Sequence, residues 1–294
     1  MKRDYHTLCD VYMVYPYDLQ IHTCRSDGDY PLDTVLELAK TIGLKGLSIT
    51  DHNLAVGVNA AAERAREKGF TAIAGVEISA KFQGVETHIL GYSRQFNESI
   101  LAAGLRQTLE GYDERSRKMV ELVNRSGMAK LDFERMKKAK GEETCIVKYD
   151  IAYYLGPLIG QSRKDAQKLF DRGGPFFVPY GDWAMSPVQA VDLIHRSGGR
   201  AVLAHPGETA QKMGEPVFSD LLSTLLPGGL DGMEVTACKH TLEQNNRFAE
   251  YARKHQLLMT GGSDYHGDQH HPEIEMGAGG LTEEQFREFY AALV

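Results

Sequence analysis

The sequence is poor in the features that mark secreted, membrane-bound and zinc-ribbon proteins. Its four cysteines, Cys9, Cys24, Cys145 and Cys238, are scattered and include no CxxC pair, which favours reduced, unpaired thiols over a disulfide framework. No apolar run approaches the roughly 20 residues of a membrane span, and the first apolar run is too short and too polar for a signal peptide. We therefore expect a cytoplasmic protein that makes no membrane contact.

An excess of basic residues is also absent, since the formal charge at pH 7 is −7. Long nucleic acids bind to basic surfaces that follow the phosphate backbone, so a long nucleic acid is not the expected partner. A small anionic substrate held by metal ions is compatible with this charge. The 294 residues suffice for a barrel-sized domain or for a domain with an insertion. The oligomeric state cannot be read from the sequence.

Short apolar strands alternate with amphipathic helices in the first and last thirds of the chain. Pro31 suits the first turn of a helix and Gly43 its end, while Ser186, Pro187 and Gln189 supply an N-cap, a first-turn proline and a capping box. Strand–helix–strand units at this spacing imply parallel strands. We predict strands at 18–22, 47–50, 72–79, 88–92, 201–204, 233–236 and 258–261, and helices at 31–42, 58–68, 186–197, 219–226, 242–255 and from about 283.

This alternation stops between residues 98 and 172, where helical signals dominate. Leu101, Leu105, Tyr112, Val120 and other apolar residues predict one long amphipathic helix. A basic, exposed helix at 130–140 and shorter helices at 151–155 and 166–170 are expected after it, and the alternation resumes at 176–179. We interpret residues 1–97 and 173–294 as one α/β barrel, and residues 98–172 as an inserted helical subdomain over its mouth.

Metal-ligand residue types follow or end several of the predicted strands. A single histidine in such a place is more often a packing residue, but in a β/α barrel the carboxyl ends of the strands meet at one rim, where active sites lie. Imidazoles together with carboxylates suit Mn²⁺, Fe²⁺ or Zn²⁺ better than Ca²⁺ or Mg²⁺, and the absence of thiolates argues against a closed structural zinc site. The candidate ligands are His22, Asp27, His52, Glu77, His88, His205, Asp264 and His266.

Taken in order, these stretches resemble the PHP (polymerase and histidinol phosphatase) family of metal-dependent phosphoesterases. The motifs are DLQIH at 18–22, ITDH at 49–52, GVE at 75–77, His88, AHP at 204–206 and GSDYHG at 262–267. The resemblance covers nearly the whole chain. It implies a distorted, TIM-like (β/α)7 barrel with a helical insertion after the fourth strand.

The resemblance also implies two or three divalent cations, with Mn²⁺ expected first and Fe²⁺ or Zn²⁺ as alternatives. A hydroxide bridging two of them would attack phosphorus. Asp264 would act as a ligand, and whether it also accepts the proton of the nucleophile stays open. The implied sets are His22, Glu77 and Asp264; Glu77, His88 and His205; and Asp27, His52 and His266.

Four residues beyond these sets bear on the substrate. Gln20 stands where the family usually has the first histidine of a His-x-His motif, so it is a weakened ligand, a holder of a metal-bound water, or a substrate contact. Lys148 and Asp150 stand where relatives usually have the arginine and histidine of Arg-Pro-His; Lys148 can still meet a phosphate as a point charge. His240 is a candidate for substrate contact or for protonation of the leaving group, and a surface histidine is the competing interpretation.

The resulting prediction is a phosphoesterase for a small phosphorylated metabolite, such as a nucleotide or a sugar phosphate. Monoester and cyclic or acyclic diester substrates stay open. Exonuclease-like trimming of short oligonucleotides competes with this prediction, although the acidic charge disfavours it. Hydrolysis of C–N bonds on a similar barrel would need a lysine ligand that is missing here. A non-catalytic barrel, disabled at Gln20, is the remaining alternative.

Overall fold

The computed structural model describes residues 14–293, so Cys9 and most of the tyrosine-rich stretch at 1–17 lie outside the described residues. The described chain contains one seven-stranded sheet whose strands are ordered as in the sequence. The strands are Tyr17–Ile21 (β1), Gly46–Ile49 (β2), Thr71–Phe82 (β3), Val85–Ser93 (β4), Arg200–Leu203 (β5), Gly232–Ala237 (β6) and Leu258–Gly262 (β7).

Helices flank the sheet and fill the long connection between β4 and β5. The helix predicted at 242–255 has those bounds, and Ser186 and Gln189 form the predicted capping box. The helices are Leu32–Thr41 (α1), Val58–Glu67 (α2), Glu98–Ser126 (α3), Phe133–Lys140 (α4), Lys148–Ile159 (α5), Arg163–Gln167 (α6), Pro187–Arg196 (α7), Pro206–Met213 (α8), Glu215–Leu225 (α9), Leu242–His255 (α10) and Glu283–Ala291 (α11), with a 3₁₀ turn at Lys168–Phe170.

The sheet curls into a distorted TIM-like barrel that is nearly closed. β1 meets β7 through hydrogen bonds from His22 N to Tyr265 O (2.9 Å) and from Asp264 N to Gln20 O (3.0 Å). Inside the barrel, Leu19, Val202 and other buried side chains form an apolar layer that α11 seals. The polar end of the barrel therefore lies opposite α11.

The expectation of parallel strands is wrong for β4, which pairs antiparallel with both β3 and β5. β3 and β4 are joined directly by Gln83 and Gly84, whose φ angles of 46° and 85° form a tight hairpin turn. No helix intervenes there, so the chain reverses direction instead of crossing over. As a result His88 lies within β4, not at the end of a strand as expected.

The second half of α3, the helices α4 and α5 and the 3₁₀ turn share an apolar cluster of their own, which includes Met119, Ile151 and Phe170. The helix predicted to be basic and exposed corresponds to α4, and one face of it is buried. Phe133 and Met136 are buried, and Lys137 pairs with Asp113 at 2.8 Å. No strand forms at 176–179, where the described chain is irregular.

The described part of the chain contains no helix that is both long and apolar enough to cross a membrane. Its three cysteines, Cys24, Cys145 and Cys238, are unpaired. The cytoplasmic location stays a prediction.

Candidate metal centre

The eight predicted ligand residues come together at the polar end of the barrel. Most follow parallel strands, whereas Glu77 and His88 reach the same place from within the β3–β4 hairpin. His205 and Asp264 have φ angles of 27° and 57°, in the left-handed region that non-glycine residues rarely adopt. Such strain persists only where the surrounding structure enforces it, and it concentrates at functional sites.

Glu77 occupies the centre of this cluster and is fully buried. Its Oε2 lies 3.0 Å from His22 Nε2, and its Oε1 lies 2.9 Å from His88 Nδ1 and 3.2 Å from His205 Nε2. Gln20 Nε2 also donates a hydrogen bond to Oε2, at 3.1 Å. Each carboxylate oxygen of Glu77 thus faces a different group of side chains.

Asp27 gathers a second group of imidazoles. Its Oδ1 lies 3.3 Å from His266 Nε2 and 3.7 Å from His22 Nδ1, and its Oδ2 lies 3.9 Å from His52 Nε2. The rings of His22 and His266 stack with their centroids 4.0 Å apart. His22 therefore stands between the Glu77 group and the Asp27 group.

Three sets of side chains in residues 14–293 bring their ligand atoms within 4.8 Å of one another. One is a set implied by the family resemblance, and another adds His22 to an implied set. In the third, His52 takes the expected place of His205, whose Nε2 nevertheless lies 3.2 Å from His88 Nδ1. The sets are His22, Glu77 and Asp264; His22, Asp27, His52 and His266; and His52, Glu77 and His88.

Unsatisfied polar atoms at the cluster fit the binding of cations. Within the described residues, His22 Nε2, Asp27 Oδ1, His52 Nδ1 and His205 Nδ1 are buried and lack a hydrogen-bond partner. Buried polar atoms are otherwise nearly always paired. Imidazole nitrogens and carboxylate oxygens are also the donors that Mn²⁺, Fe²⁺ and Zn²⁺ accept.

The electrostatics of the cluster favour cations as well. Burial alone would raise the pKa of the Glu77 carboxyl, but the imidazoles of His52 and His88 hold it well below its usual value. Burial alone would also raise the pKa of Asp27 and that of Asp264, but both lie well below normal, because His266 acts together with His52 on Asp27 and together with Lys239 on Asp264. All three carboxylates are therefore ionised at neutral pH.

A buried carboxylate supports the loop that carries Asp27. Asp51 accepts hydrogen bonds from Thr23 N at 2.7 Å, Thr23 Oγ1 at 2.7 Å and Ser26 Oγ at 2.6 Å. On the other side, Glu234 accepts a bond from His205 N at 2.6 Å. These bonds fix the backbone next to two of the ligand-type residues.

Gln20 does not reach the cavity above the cluster. Its side chain is fully buried beneath Glu77, and its Oε1 has no hydrogen-bond partner in residues 14–293. This oxygen is therefore free to contact a metal ion in the cluster. Gln20 does not line the cavity, whose wall is formed by other residues.

His240 is also kept away from the cavity. Its Nε2 accepts a hydrogen bond from Gly207 N at 3.0 Å, and its Nδ1 lies 3.2 Å from Asn245 Oδ1. Burial and the nearby His205 lower its pKa to about 4, so the ring is neutral at pH 7. Through Gly207, His240 holds the first turn of α8, which begins directly after His205.

Lys148 does line the cavity, but its Nζ lies 2.5 Å from Asp171. Asp150 does not line the cavity; its carboxylate caps α5 by accepting from Val147 N at 2.8 Å and pairs with Lys140. The substitution of the family's histidine by Asp150 therefore has a local structural role here.

The cavity above the cluster has a volume of about 210 Å³ and is lined by many charged side chains. Several of them were not singled out in the sequence. Lys239 could have been predicted from the sequence as a cavity residue, because it lies next to His240 just beyond the end of β6. The sequence did not mark Arg115 as a cavity residue, since it lies in the middle of a helix among other charged residues. The cations that line the cavity are Arg25, Arg115, Lys140, Lys148, Lys212 and Lys239.

A buried cluster of imidazoles and carboxylates at the end of such a barrel is the site of a metal-dependent hydrolase. The chain belongs to the PHP domain family, whose model matches residues 18–178. It is therefore an enzyme of the phosphoric ester hydrolase class, with side-chain groups suited to hold metal ions.

The relatives have diverse activities. The chain is 33% identical to a phosphoribosyl 1,2-cyclic phosphate 1,2-diphosphodiesterase of Eggerthella lenta, over 85% of this chain and 94% of the relative. It is 32% identical to a 3′,5′-nucleoside bisphosphate phosphatase of Chromobacterium violaceum, over 85% of this chain and 86% of that one. Identity to the Escherichia coli 5′-3′ exoribonuclease Rnm is 30%, over 89% and 88% of the two chains.

A solved structure supports the barrel fold. A crystal structure described as a metal-dependent phosphoesterase from Bifidobacterium adolescentis superimposes with a TM-score of 0.79 at 27% identity. It matches 95% of this chain and 96% of its own.

Proposed function

We propose that this chain hydrolyses a phosphate ester of a small metabolite, such as a nucleotide or a sugar phosphate. The observation that carries the proposal is the convergence of five imidazoles and three carboxylates on the floor of a small cavity whose walls carry six cationic side chains. The floor suits metal ions, and the walls suit the anionic parts of a substrate. Relatives that act on a cyclic phosphate and on a bisphosphate support this substrate class.

Two or three divalent cations would be held here, with Mn²⁺ first and Fe²⁺ or Zn²⁺ as alternatives. When bound, such ions supply Lewis acidity and a nucleophilic water at neutral pH. We assign the ligands as His22, Glu77 and Asp264; Glu77, His88 and His205; and Asp27, His52 and His266.

Asp264 can serve both as a ligand and as a proton acceptor, because its two oxygens face different groups. Its Oδ1 lies 3.4 Å from His22 Nε2, within the ligand cluster, and its Oδ2 lies 3.3 Å from Lys239 Nζ. Burial would lower the pKa of Lys239, but Asp264 and Glu208 raise it above its usual value. The ammonium group therefore stays charged, and it pairs with Glu208 at 3.1 Å as well as with Asp264. A phosphoryl oxygen would bind it in place of Asp264 Oδ2, and the released oxygen would then be the one that receives a proton.

The connection between β4 and β5 would act as a roof. We propose that residues 98–172 form an inserted subdomain on the barrel formed by residues 1–97 and 173–294. The second half of α3 shares an apolar cluster with α4 and α5 that is separate from the two clusters of the barrel, whereas Leu101 and Leu105 at the start of α3 pack into the barrel. Lys140, Lys148 and Arg115 reach the cavity from this segment. A volume of about 210 Å³ is below the usual range for drug-sized ligands, so a compact metabolite fits best.

Trimming of short oligonucleotides from one end is the second candidate, because the Escherichia coli exoribonuclease is among the relatives. The net charge of −7 disfavours a long polyanion.

A substrate panel with added Mn²⁺ tests both proposals. It should contain nucleotide and sugar monophosphates, bisphosphates, cyclic phosphates and a labelled RNA of about ten nucleotides. We expect kcat/KM to be highest for a small ester. Faster release of nucleotides from the RNA end than from any small ester would favour the exonuclease, and the absence of turnover throughout would contradict the enzyme assignment.

A further inference from the structure

Arg115 is a buried cation without an acidic partner. Its side chain lies in the middle of α3, and the residue is 5% exposed. Nε donates a hydrogen bond to Val178 O at 2.8 Å, and the guanidinium lies over the ring of Tyr180, 4.2 Å from its centre. Within residues 14–293, no carboxylate oxygen lies within 4.0 Å of it, and its two terminal nitrogens donate no hydrogen bond.

The other cations contributed by the roof are paired. Lys140 pairs with Asp150, and Lys148 pairs with Asp171. Arg115 lines the same cavity without such a partner. A buried charge normally requires a counter-charge or a full set of hydrogen bonds, and one carbonyl with one aromatic face does not saturate the five N–H donors of a guanidinium. The terminal nitrogens are therefore free to bind an anion from the cavity.

The position of Arg115 separates such an anion from the reacting phosphate. The ring of Tyr180, beneath the guanidinium, contacts the ring of Tyr112 at a centroid distance of 5.9 Å. Tyr112 donates from its hydroxyl to Glu86 at 2.8 Å, and Glu86 lies 3.9 Å from His88 Nε2. Arg115 thus stands on the His88 side of the site, beyond a layer of tyrosine and glutamate side chains.

Glu86 does not compete for the guanidinium. Its carboxylate accepts a hydrogen bond from Tyr112 Oη at 2.8 Å and lies 3.9 Å from His88 Nε2, and it makes no ion pair with the guanidinium. The planar fork of an arginine matches two oxygens of a phosphate at once.

We propose that Arg115 binds a second phosphate group of the substrate, so that the preferred substrates are small phosphate esters with two phosphate groups. One phosphate lies over the ligand cluster, and the other is held under the roof by the Arg115 fork. This inference rests on the proposed function and narrows it.

The test compares a nucleoside 3′,5′-bisphosphate with the two matching monophosphates. The measured quantity is the ratio of kcat/KM for the bisphosphate to that for the better monophosphate. A hydrogen-bonded charge pair is worth about 10- to 100-fold in affinity, so Arg115→Ala should lower the ratio by about that factor, mainly through KM. Arg115→Lys, which keeps the charge and loses the fork, should lower it less.

Arg117→Ala is the matched control. This arginine lies two positions further along α3, is half exposed and pairs with Glu134 outside the cavity. It should leave the ratio unchanged. Arg115→Ala could leave the ratio unchanged, for example by lowering kcat/KM equally for all three esters. In that case Arg115 does not bind the second phosphate, and the inference is overturned.

A binding measurement separates failure of this inference from failure of the proposed function. If the wild-type chain hydrolyses none of the esters, the function fails, but calorimetric titration with the bisphosphate still tests Arg115. We expect Kd to rise about 10-fold or more in Arg115→Ala, and an unchanged Kd overturns the inference. Circular dichroism checks the fold, and Arg115→Lys provides the same comparison if the alanine variant does not fold.

Discussion

Arg163 donates a hydrogen bond from Nη1 to Oδ1 of Asp29 at 3.0 Å, and this contact joins α6 to the loop after β1. The same carboxylate accepts bonds from Tyr149 Oη at 2.9 Å and from Gln269 N at 2.6 Å. Asp29 N in turn donates to His266 O at 2.7 Å. One buried side chain thus connects α5 and α6 with two of the three loops that carry the Asp27 group, namely those that hold Asp27 and His266.

Replacing Asp29 should destabilise the protein and loosen this connection. Asp29→Ala leaves the partly buried Arg163 without its carboxylate, although the contacts with Tyr149 remain. Loss of one member of a fully buried pair costs about 3–5 kcal/mol, and we expect the free energy of unfolding by urea to fall by somewhat less than that. In Asp29→Ala/Arg163→Leu a large part of the loss should be recovered, because the uncompensated charge is gone. Asp33→Ala, which removes an exposed partner of Arg64, is the control and should change stability little. Equal stability of the Asp29 and Asp33 variants would show that this contact is unimportant.

Glu77→Gln tests the central carboxylate. The amide keeps the shape of the side chain but removes the charge that faces His22, His88 and His205. Loss of a residue that merely supports a metal ligand already costs 10- to 100-fold, so we expect kcat to fall by more than about 100-fold. Elemental analysis after purification with Mn²⁺ should find at least one cation fewer per chain than in the wild type. Near-normal turnover in a folded variant would show that Glu77 is not shared between two metal sets.

Gln20→His tests the departure from the family's first motif. Because Gln20 is buried against Glu77 and does not line the cavity, we expect the change to act on metal affinity. An imidazole nitrogen is a better ligand than an amide oxygen, so activity should saturate at a lower Mn²⁺ concentration. The measurement is a Mn²⁺ titration of both forms. An unchanged Mn²⁺ titration with a lower rate would instead indicate that Gln20 shapes the pocket for the substrate. If neither the titration nor the rate changes, glutamine at position 20 is a neutral departure from the family motif.

Lys239 and His240 can be distinguished by the leaving group. If a protonated His240 assisted departure, His240→Asn would slow alkyl phosphates far more than p-nitrophenyl phosphate, whose leaving group needs no proton. We expect no such difference, because His240 is neutral and bonded to Gly207 and Asn245. Lys239→Met should lower kcat/KM for every ester by about 10- to 100-fold, since it removes a charge that can pair with phosphate. A selective defect of His240→Asn on alkyl esters would support the protonation of the leaving group that the sequence predicts for His240.

The sequence was informative wherever local chemistry decides the structure. The caps at Ser186 and Gln189 define a helix start within a few residues, and the residues that end β1, β2, β5 and β7 could be identified from short apolar runs followed by metal-ligand types. The direction of β4 could not be predicted that way, because an apolar strand has the same pattern in either direction. Only the turn at Gln83 and Gly84 reverses the chain.

The pattern of residues along the chain could not predict which partners individual side chains have. His240 and Lys239 are neighbours in the chain, yet only Lys239 faces the cavity. Asp150 looked like a change in substrate chemistry, but it caps α5 and pairs with Lys140. Such outcomes depend on tertiary packing around each residue, which no spacing of residue types encodes.

The junction of β1 with β7 has a consequence for the order in which a newly made chain acquires its metals. His22 and Asp264, which we place in one metal set, are 242 positions apart and meet only across this junction. A chain leaving the ribosome exposes His22, His52, Glu77 and His88 long before β7 has been synthesised. Until then the set containing Asp264 and the set containing His266 are incomplete. Stable loading of those two sets therefore has to follow closure of the barrel, and metal content marks chains whose last strand has docked.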